Sequence, residues 1–380
     1  MSQTSSKLLY VVGNDHYFCS HRLPIAIAAR AKGYQVFVAT VVQDKQAVLE
    51  KEGLTVIPLK HLRRGRANPL QNMLALWEIH KVIKKVKPDI CHSVAMKPVL
   101  FTAIASWFHK VPHRIYALGG LGFLFISETL RTRFMRYVVI TLWKFFFQGD
   151  HQKLILQNTA DRDVFLSQHV VPASTIVLIP GSGVDIELYK PQLHHNEVPV
   201  IVCAARMLWD KGIGELVEAA RILKHQGLIF HLKLCGPVDW ENPAHITQEQ
   251  LHAWVKEGLI EWAGNCEAMA DVYGHADLAV LPSYREGMPK SLQEAAACGL
   301  ALVTTDVPGC RELVPKGTNG ILVPAKSVEP LAAAIKFYLL NPQRRKSHGM
   351  NSRRLAEKSF SQTKVVELTL KLYNSCRAYT

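Results

Sequence analysis

Arg206 and Lys211 stand five residues apart in Arg206-Met207-Leu208-Trp209-Asp210-Lys211-Gly212, a turn that follows an apolar run and opens a helix. Two cations at that spacing can reach one diphosphate, Arg through a bidentate fork and Lys as a point charge. A phosphate that leaves in a transfer reaction gains negative charge, and cations already fixed beside it stabilise that charge. An ordinary charged surface would carry the same pair. A second group is Glu286-Gly287-Met288-Pro289-Lys290-Ser291-Leu292-Gln293-Glu294. Gly287 and the start of the following helix expose backbone N–H groups that suit phosphate or sugar oxygens. Pro289 fits a first helical turn, where its missing N–H is not needed. Glu294 comes two turns in, where a carboxylate can accept from two hydroxyls, as on a ribose. Glu286 precedes the helix and is expected to face a ligand. A helix-terminal charge with a solvated glutamate would look the same. Two carboxylates raise glycoside hydrolysis, but both lie on one element with no opposing partner. The third candidate is Gly13 in Gly13-Asn14-Asp15-His16, where a strand end meets a helix start and backbone can approach an anion. A plain turn glycine reads equally well.

These residues need elements to hold them. Short β-rich apolar runs alternate with helical stretches along the whole chain. The runs fall at 7–13, 34–42, 54–59, 89–94, 113–118, 153–157 and 175–180, then at 198–205, 230–235, 259–263, 278–282, 301–305 and 320–323. Alternating βα units with continuous apolar strands predict parallel sheets covered on both faces. At 380 residues, two domains are expected. Residues 1–182 form the first and 198–358 the second, with a polar linker at 183–197 and a C-terminal helix at 359–380 that crosses back. The fold class is α/β, with two doubly wound Rossmann-like domains whose strand ends face a cleft. No G-x-G-x-x-G follows any strand, which disfavours dinucleotide binding of the dehydrogenase kind.

Composition narrows the function classes. Residues 1–190 hold 24 Lys+Arg against 12 Asp+Glu, while residues 191–380 hold 21 against 19. The first half therefore carries the basic excess and is the half expected to meet an anionic partner. The eight cysteines are scattered and form no C-x-x-C pair, which argues against a disulfide framework or a thiolate zinc site. No stretch is long and apolar enough for a transmembrane helix, and the N-terminus reads as a strand rather than a signal peptide, so a cytoplasmic protein is expected. Two basic segments stand out. One is the loop Arg63-Arg64-Gly65-Arg66. The other, 131–148, combines Arg131, Arg133, Arg136 and Lys144 with Trp143, Phe145, Phe146 and Phe147. Such a segment can lie in a membrane interface with its cations at the headgroups, or be a core helix with one solvated end. His92 at a strand end either faces a ligand or packs inside. Nucleic-acid binding is permitted by the charge, but no helix-turn-helix, zinc finger or stacked-aromatic platform organises it.

In this order and on these elements, the motifs resemble glycosyltransferase family 4, retaining enzymes of the GT-B fold, over nearly the whole chain. The Glu286 to Glu294 spacing with Gly287 and Pro289 is the most specific mark, and Gly181–Asp185 is similar to the family's loop before the interdomain crossover. The resemblance implies that Arg206 and Lys211 bind a donor diphosphate and that Glu294 binds the ribose. Glu286 and the backbone of Gly287, Met288, Pro289 and Lys290 would hold the donor sugar. Asn265 falls in the base-reading loop, and Gly13 lies near the phosphates. His16–Pro24 and Leu118–Phe123 are similar to bacterial members that extend glycans on undecaprenyl diphosphate, although these often carry Thr, Ser or Glu at Gly119 and some carry His at Met96. The implied partners are a UDP-sugar donor, a polyprenyl-diphosphate-linked acceptor and an anionic membrane surface, without nucleic acid. The implied setting is the inner membrane face. No cofactor is expected, since the UDP-sugar is a substrate. No metal is expected, since the two cations can stand in for one beside the diphosphate. A soluble transferase acting on a glucan or small acceptor, or a non-catalytic nucleotide-sugar binder, remains as the alternative.

Overall fold

The computed structural model describes residues 5–62, 68–121, 129–147 and 151–377. The chain divides into two compact units. One comprises Met1–Ser182 with Thr363–Thr380, and the other Gly183–Gln362.

The first unit holds a seven-stranded sheet: β1 (Lys7–Val12), β2 (Gln35–Thr40), β3 (Thr55–Pro58), β4 (Ile90–Val94), β5 (His113–Ala117), β6 (Gln152–Leu156) and β7 (Ile176–Leu178). Its order is β3-β2-β1-β4-β5-β6-β7 and every pairing is parallel. Strand alternation sends side chains to both faces, and both are buried. Leu8, Tyr10 and Val12 join a core with Phe18 and Ile25, while Leu9 and Val11 join another with Ile79 and Ile83. The helices Pro69–Val86, Met96–Phe108 and Leu130–Phe146 cover the second of these faces. The C-terminal helix Gln362–Arg377 closes the first, where Val365 and Tyr373 are fully buried. Tyr373 is its anchor. Its hydroxyl lies 2.7 Å from the Tyr10 hydroxyl and 2.6 Å from His92 Nδ1. His92 is therefore a packed residue. Burial, reinforced by Arg22, pushes its pKa well below the usual histidine value.

In the segment 131–148 the aromatic residues divide by helical phase. Trp143 and Phe147, one turn apart, are buried and stack on Phe165 and Tyr116. Of the four aromatics expected to insert into a membrane, these two are core instead. Phe145, on the opposite side of the helix, is exposed. Residues 63–66 lie outside the described residues.

The second unit repeats the plan with β8 (Val200–Ala204), β9 (His231–Cys235), β10 (Glu261–Trp262), β11 (Leu278–Leu281), β12 (Ala301–Thr305) and β13 (Gly320–Val323). Its order, β10-β9-β8-β11-β12-β13, is again parallel throughout. Reversal of strand order beside β8 creates a topological switch point, where ligands bind outside the carboxyl ends of the strands. Residues 183–197 belong to this unit rather than standing free of both. The Arg353 guanidinium donates to the carbonyls of Ile186, Tyr189 and Ala297 at 2.8–2.9 Å. The backbone of Val184 is bonded to Phe360 and Gln362, so the outgoing and returning chain run side by side there.

Candidate active site

Three loops at the carboxyl ends of β8, β11 and β12 are stitched together in the second unit. Asp210 O accepts from the Tyr284 N–H at 3.0 Å and from the Ser283 hydroxyl at 3.3 Å. The Glu286 N–H donates to Pro308 O at 3.2 Å. Two glycines permit this closeness. A Cβ on Gly212 would sit 2.1 Å from Pro282 O, and one on Gly309 2.6 Å from the carbonyls of both Glu286 and Gly287. Both have positive φ, 70° and 83°, which glycine adopts without steric cost.

This frame brings most of the expected residues into one group. Arg206 leaves β8 and pairs with Asp239. Lys211 ends a 3-10 turn, Trp209–Lys211, and pairs with Glu286, both side chains being mostly buried. The two cations are thus held by two different carboxylates. Gly287 and Pro289 are buried, and Met288 packs against the domain core. Pro289 takes the cap position one residue before the helix Lys290–Ala297 rather than its first turn. Lys290 Nζ lies 3.7 Å from the Glu294 carboxylate, one turn on. Asn265 is exposed in the loop after β10, which is tied to the β9 end by Gly236 N–H donating to Gly264 O at 2.6 Å. Gly13 belongs to the first unit, after β1, with open space where a Cβ would stand. The Asn14 side chain caps the short helix beyond it.

Two residues in this group escaped the sequence reading. Asp239 follows the Gly-Pro pair after β9, where an acid beside a strand end was the available signal. Tyr189 lies in the stretch read as linker, and its hydroxyl interacts with the Glu294 carboxylate. Among the described residues no group of three His, Cys, Asp or Glu side chains is gathered.

Burial pushes the Glu294 carboxyl above its ordinary value of 4.5, with Lys290 and Tyr189 offsetting only part of that shift. A carboxyl raised in this way binds its proton more tightly folded than unfolded. It favours folding below the unfolded value, and that contribution is lost as pH rises through the folded value. Glu294→Gln is therefore expected to unfold at a higher urea midpoint than wild type at neutral pH. The difference should close as pH falls toward 4.5. Equal midpoints across the whole range would show that the charge costs the fold nothing.

The family model for "Glycosyl transferases group 1" matches residues 198–341, and that for "Glycosyl transferase 4-like" matches 7–158. The chain belongs to the family 4 glycosyltransferases. One relative is the Campylobacter jejuni N,N'-diacetylbacillosaminyl-diphospho-undecaprenol alpha-1,3-N-acetylgalactosaminyltransferase. It is 28% identical over 366 residues, covering 93% of this chain and 94% of the relative. The Escherichia coli UDP-Gal:alpha-D-GlcNAc-diphosphoundecaprenol alpha-1,3-galactosyltransferase is 23% identical over 280 residues, 70% of each chain. Anabaena Alr3699/HepE, solved in complex with UDP, matches with a TM-score of 0.77 at 19% identity, covering 97% of this chain and 100% of that one. The fold of this glycosyltransferase is accordingly GT-B.

Proposed function

We propose that this glycosyltransferase moves a sugar, an N-acetylhexosamine, from a UDP-sugar to a polyprenyl-diphosphate-linked acceptor with retention at the anomeric carbon, at the inner membrane face during bacterial glycan assembly. The observation that carries the reading is the pair Arg206 and Lys211 on one loop at the switch point beside β8, with Lys211 paired to Glu286 and the buried Glu294 on the helix that the Glu286 loop enters. Two relatives whose names specify diphosphoundecaprenol acceptors and alpha-1,3 products, one of them with UDP-Gal as donor, support it.

In this reading the donor diphosphate takes Arg206 and Lys211 from Asp239 and Glu286. Displacement frees the Glu286 carboxylate to accept from hydroxyls of the donor sugar, and the N–H groups at Gly287–Lys290 donate to its oxygens. Glu294 accepts from the ribose hydroxyls, and Asn265 lies on the loop beside the base. The acceptor oxygen bonds to the anomeric carbon on the face from which the diphosphate departs. The bond to the diphosphate oxygen breaks with its electron pair going to that oxygen, which also receives the acceptor's proton. Arg206 and Lys211 stabilise the charge that grows there. Neither a covalent enzyme intermediate nor a cofactor is needed.

The deciding experiment offers a panel of UDP-sugars with polyprenyl-diphosphate-linked glycans and reads the product's mass and anomeric configuration. Transfer with inversion, or only to a free glucan, would refute the reading. Because fixed cations take the place of a metal in this scheme, turnover is expected to survive EDTA. Loss on chelation with recovery on manganese would count against it.

A further inference from the structure

On one face of the first sheet the helices Pro69–Val86, Met96–Phe108 and Leu130–Phe146 pack side by side. Their inner residues make the core, but their outer side is not what water selects. Trp107, Phe108 and Phe145 are 47%, 63% and 59% exposed. They form one cluster with Phe146. The Trp107 ring is 5.1 Å from Phe108 and 6.1 Å from both Phe145 and Phe146, which are 4.9 Å from each other. Single exposed apolar residues are normal on a soluble protein, whereas a contiguous aromatic cluster marks a surface that something covers. The cluster continues onto the first helix. His109, capping the Met96–Phe108 helix, lies 3.1 Å from His80, and one turn before His80 the exposed Trp77 carries Lys81 Nζ 3.3 Å from its ring centroid.

Charge says what covers it. Lys81, Lys84, Lys85, Lys110 and Lys144 are all exposed around this cluster. Glu78 is the one acid in the three helices, and its carboxylate is engaged by the N–H groups of Lys60 and His61 at 2.9–3.1 Å. A pocket of about 230 Å³ on the Leu130–Phe146 helix is lined by Arg133, Arg136, Tyr137 and Lys144. Its lining recurs at helical spacing, next to the Phe134 and Phe145 positions, so cations and apolar rings share one helix surface. Aromatic rings flanked by cations suit the boundary between headgroups and acyl chains, where a ring inserts shallowly and a cation meets phosphate.

We propose that this three-helix face docks on an anionic phospholipid bilayer, with Trp107, Phe108 and Phe145 inserted at the interface and the Arg133–Arg136–Lys144 pocket seating a headgroup phosphate. The inference rests on the reading above, in which the acceptor is borne by lipid, for its purpose. Docking would place the unit expected to hold that acceptor against the surface where it resides.

The test is sedimentation of the full chain with vesicles of phosphatidylcholine alone or with phosphatidylglycerol added. Binding is expected only with phosphatidylglycerol, and to fall with salt. A Trp107→Ser/Phe108→Ser/Phe145→Ser variant should lose at least about tenfold in partitioning, the scale of one buried aromatic side chain. An Arg133→Gln/Arg136→Gln/Lys144→Gln variant should lose the preference for phosphatidylglycerol. Both should keep wild-type unfolding midpoints and wild-type turnover on a short-chain, water-soluble acceptor. If wild type ignores phosphatidylglycerol vesicles at low salt while turning over the soluble acceptor, the docking face is wrong and the enzymatic reading stands. Vesicle binding without transfer to any acceptor would leave docking supported and remove the enzymatic reading. Docking is also overturned if the aromatic variant turns a dimeric wild type into a monomer without changing vesicle binding, since a second copy then covers the face. It is overturned again if inorganic phosphate at matched ionic strength abolishes binding that the aromatic variant retains.

Discussion

Replacing Lys211 or Arg206 with Ala is expected to cost about a hundredfold or more in turnover. A single preorganised group aimed at developing charge is worth roughly 2.7–4 kcal/mol, and each 1.36 kcal/mol is tenfold in rate. The structure separates the two variants. Lys211 and Glu286 are mostly shielded from water, so Lys211→Ala removes a diphosphate cation and also strands a carboxylate that the donor sugar must meet. The partner of Arg206, Asp239, is not among the groups assigned to the donor. Lys211→Ala should therefore lower kcat and raise the donor KM, with part of the loss recovered in Lys211→Ala/Glu286→Gln. Arg206→Ala should fall mainly in kcat. Adding Asp239→Asn to wild type should leave kcat within a few fold, because its competition for Arg206 ends once diphosphate is bound. Steady-state kinetics on the five proteins check this. Wild-type turnover in both single Ala variants would sink the diphosphate assignment.

The strands were legible because their signal is local. Each apolar run named from the sequence coincides with a strand, since β-rich runs buried on both faces leave an unbroken pattern. Which loops would meet was not legible. Asp239 follows β9 and Glu286 follows β11, the two neighbours of β8, so the ion pairs of Arg206 and Lys211 are consequences of strand order. Periodicity marks a strand but does not order it within a sheet. Tyr189 was hidden for a related reason. Its segment lacks apolar period, and what fixes it is Arg353, 164 residues further on. The division of Trp143 and Phe147 from Phe145, by contrast, was within reach. A four-residue interval puts the first two on one helical face and the third on the other, and reading the aromatics as one group overlooked that phase.

Glu294→Ala is expected to weaken UDP binding by roughly 1.5–3 kcal/mol for each charged hydrogen bond lost. That is about tenfold or more in Kd. Glu294 is buried, with its carboxyl raised by that burial, so it must be ionised at a cost to accept from ribose hydroxyls. Lys290 and the Tyr189 hydroxyl reduce that cost. The pH dependence follows from the raised value. UDP affinity of the wild type should fall as pH drops through the folded pKa of Glu294, above the ordinary 4.5, once the phosphate's own protonation has been subtracted using Glu294→Gln as reference. Tyr189→Phe removes an interaction that favours the ionised form, so it should move that midpoint upward while leaving the neutral-pH affinity less changed than Glu294→Ala does. The decisive comparison uses 2′-deoxy-UDP. The deoxy nucleotide should bind wild type several-fold more weakly than UDP, and bind Glu294→Ala about as well as UDP does, because the partner of the missing hydroxyl is already gone. Calorimetric titration of both nucleotides into both proteins gives the coupling directly. Equal losses from the deoxy substitution in wild type and variant would show that Glu294 does not touch the ribose, and Lys290 with Glu294 would then be an intrahelical pair on the donor helix.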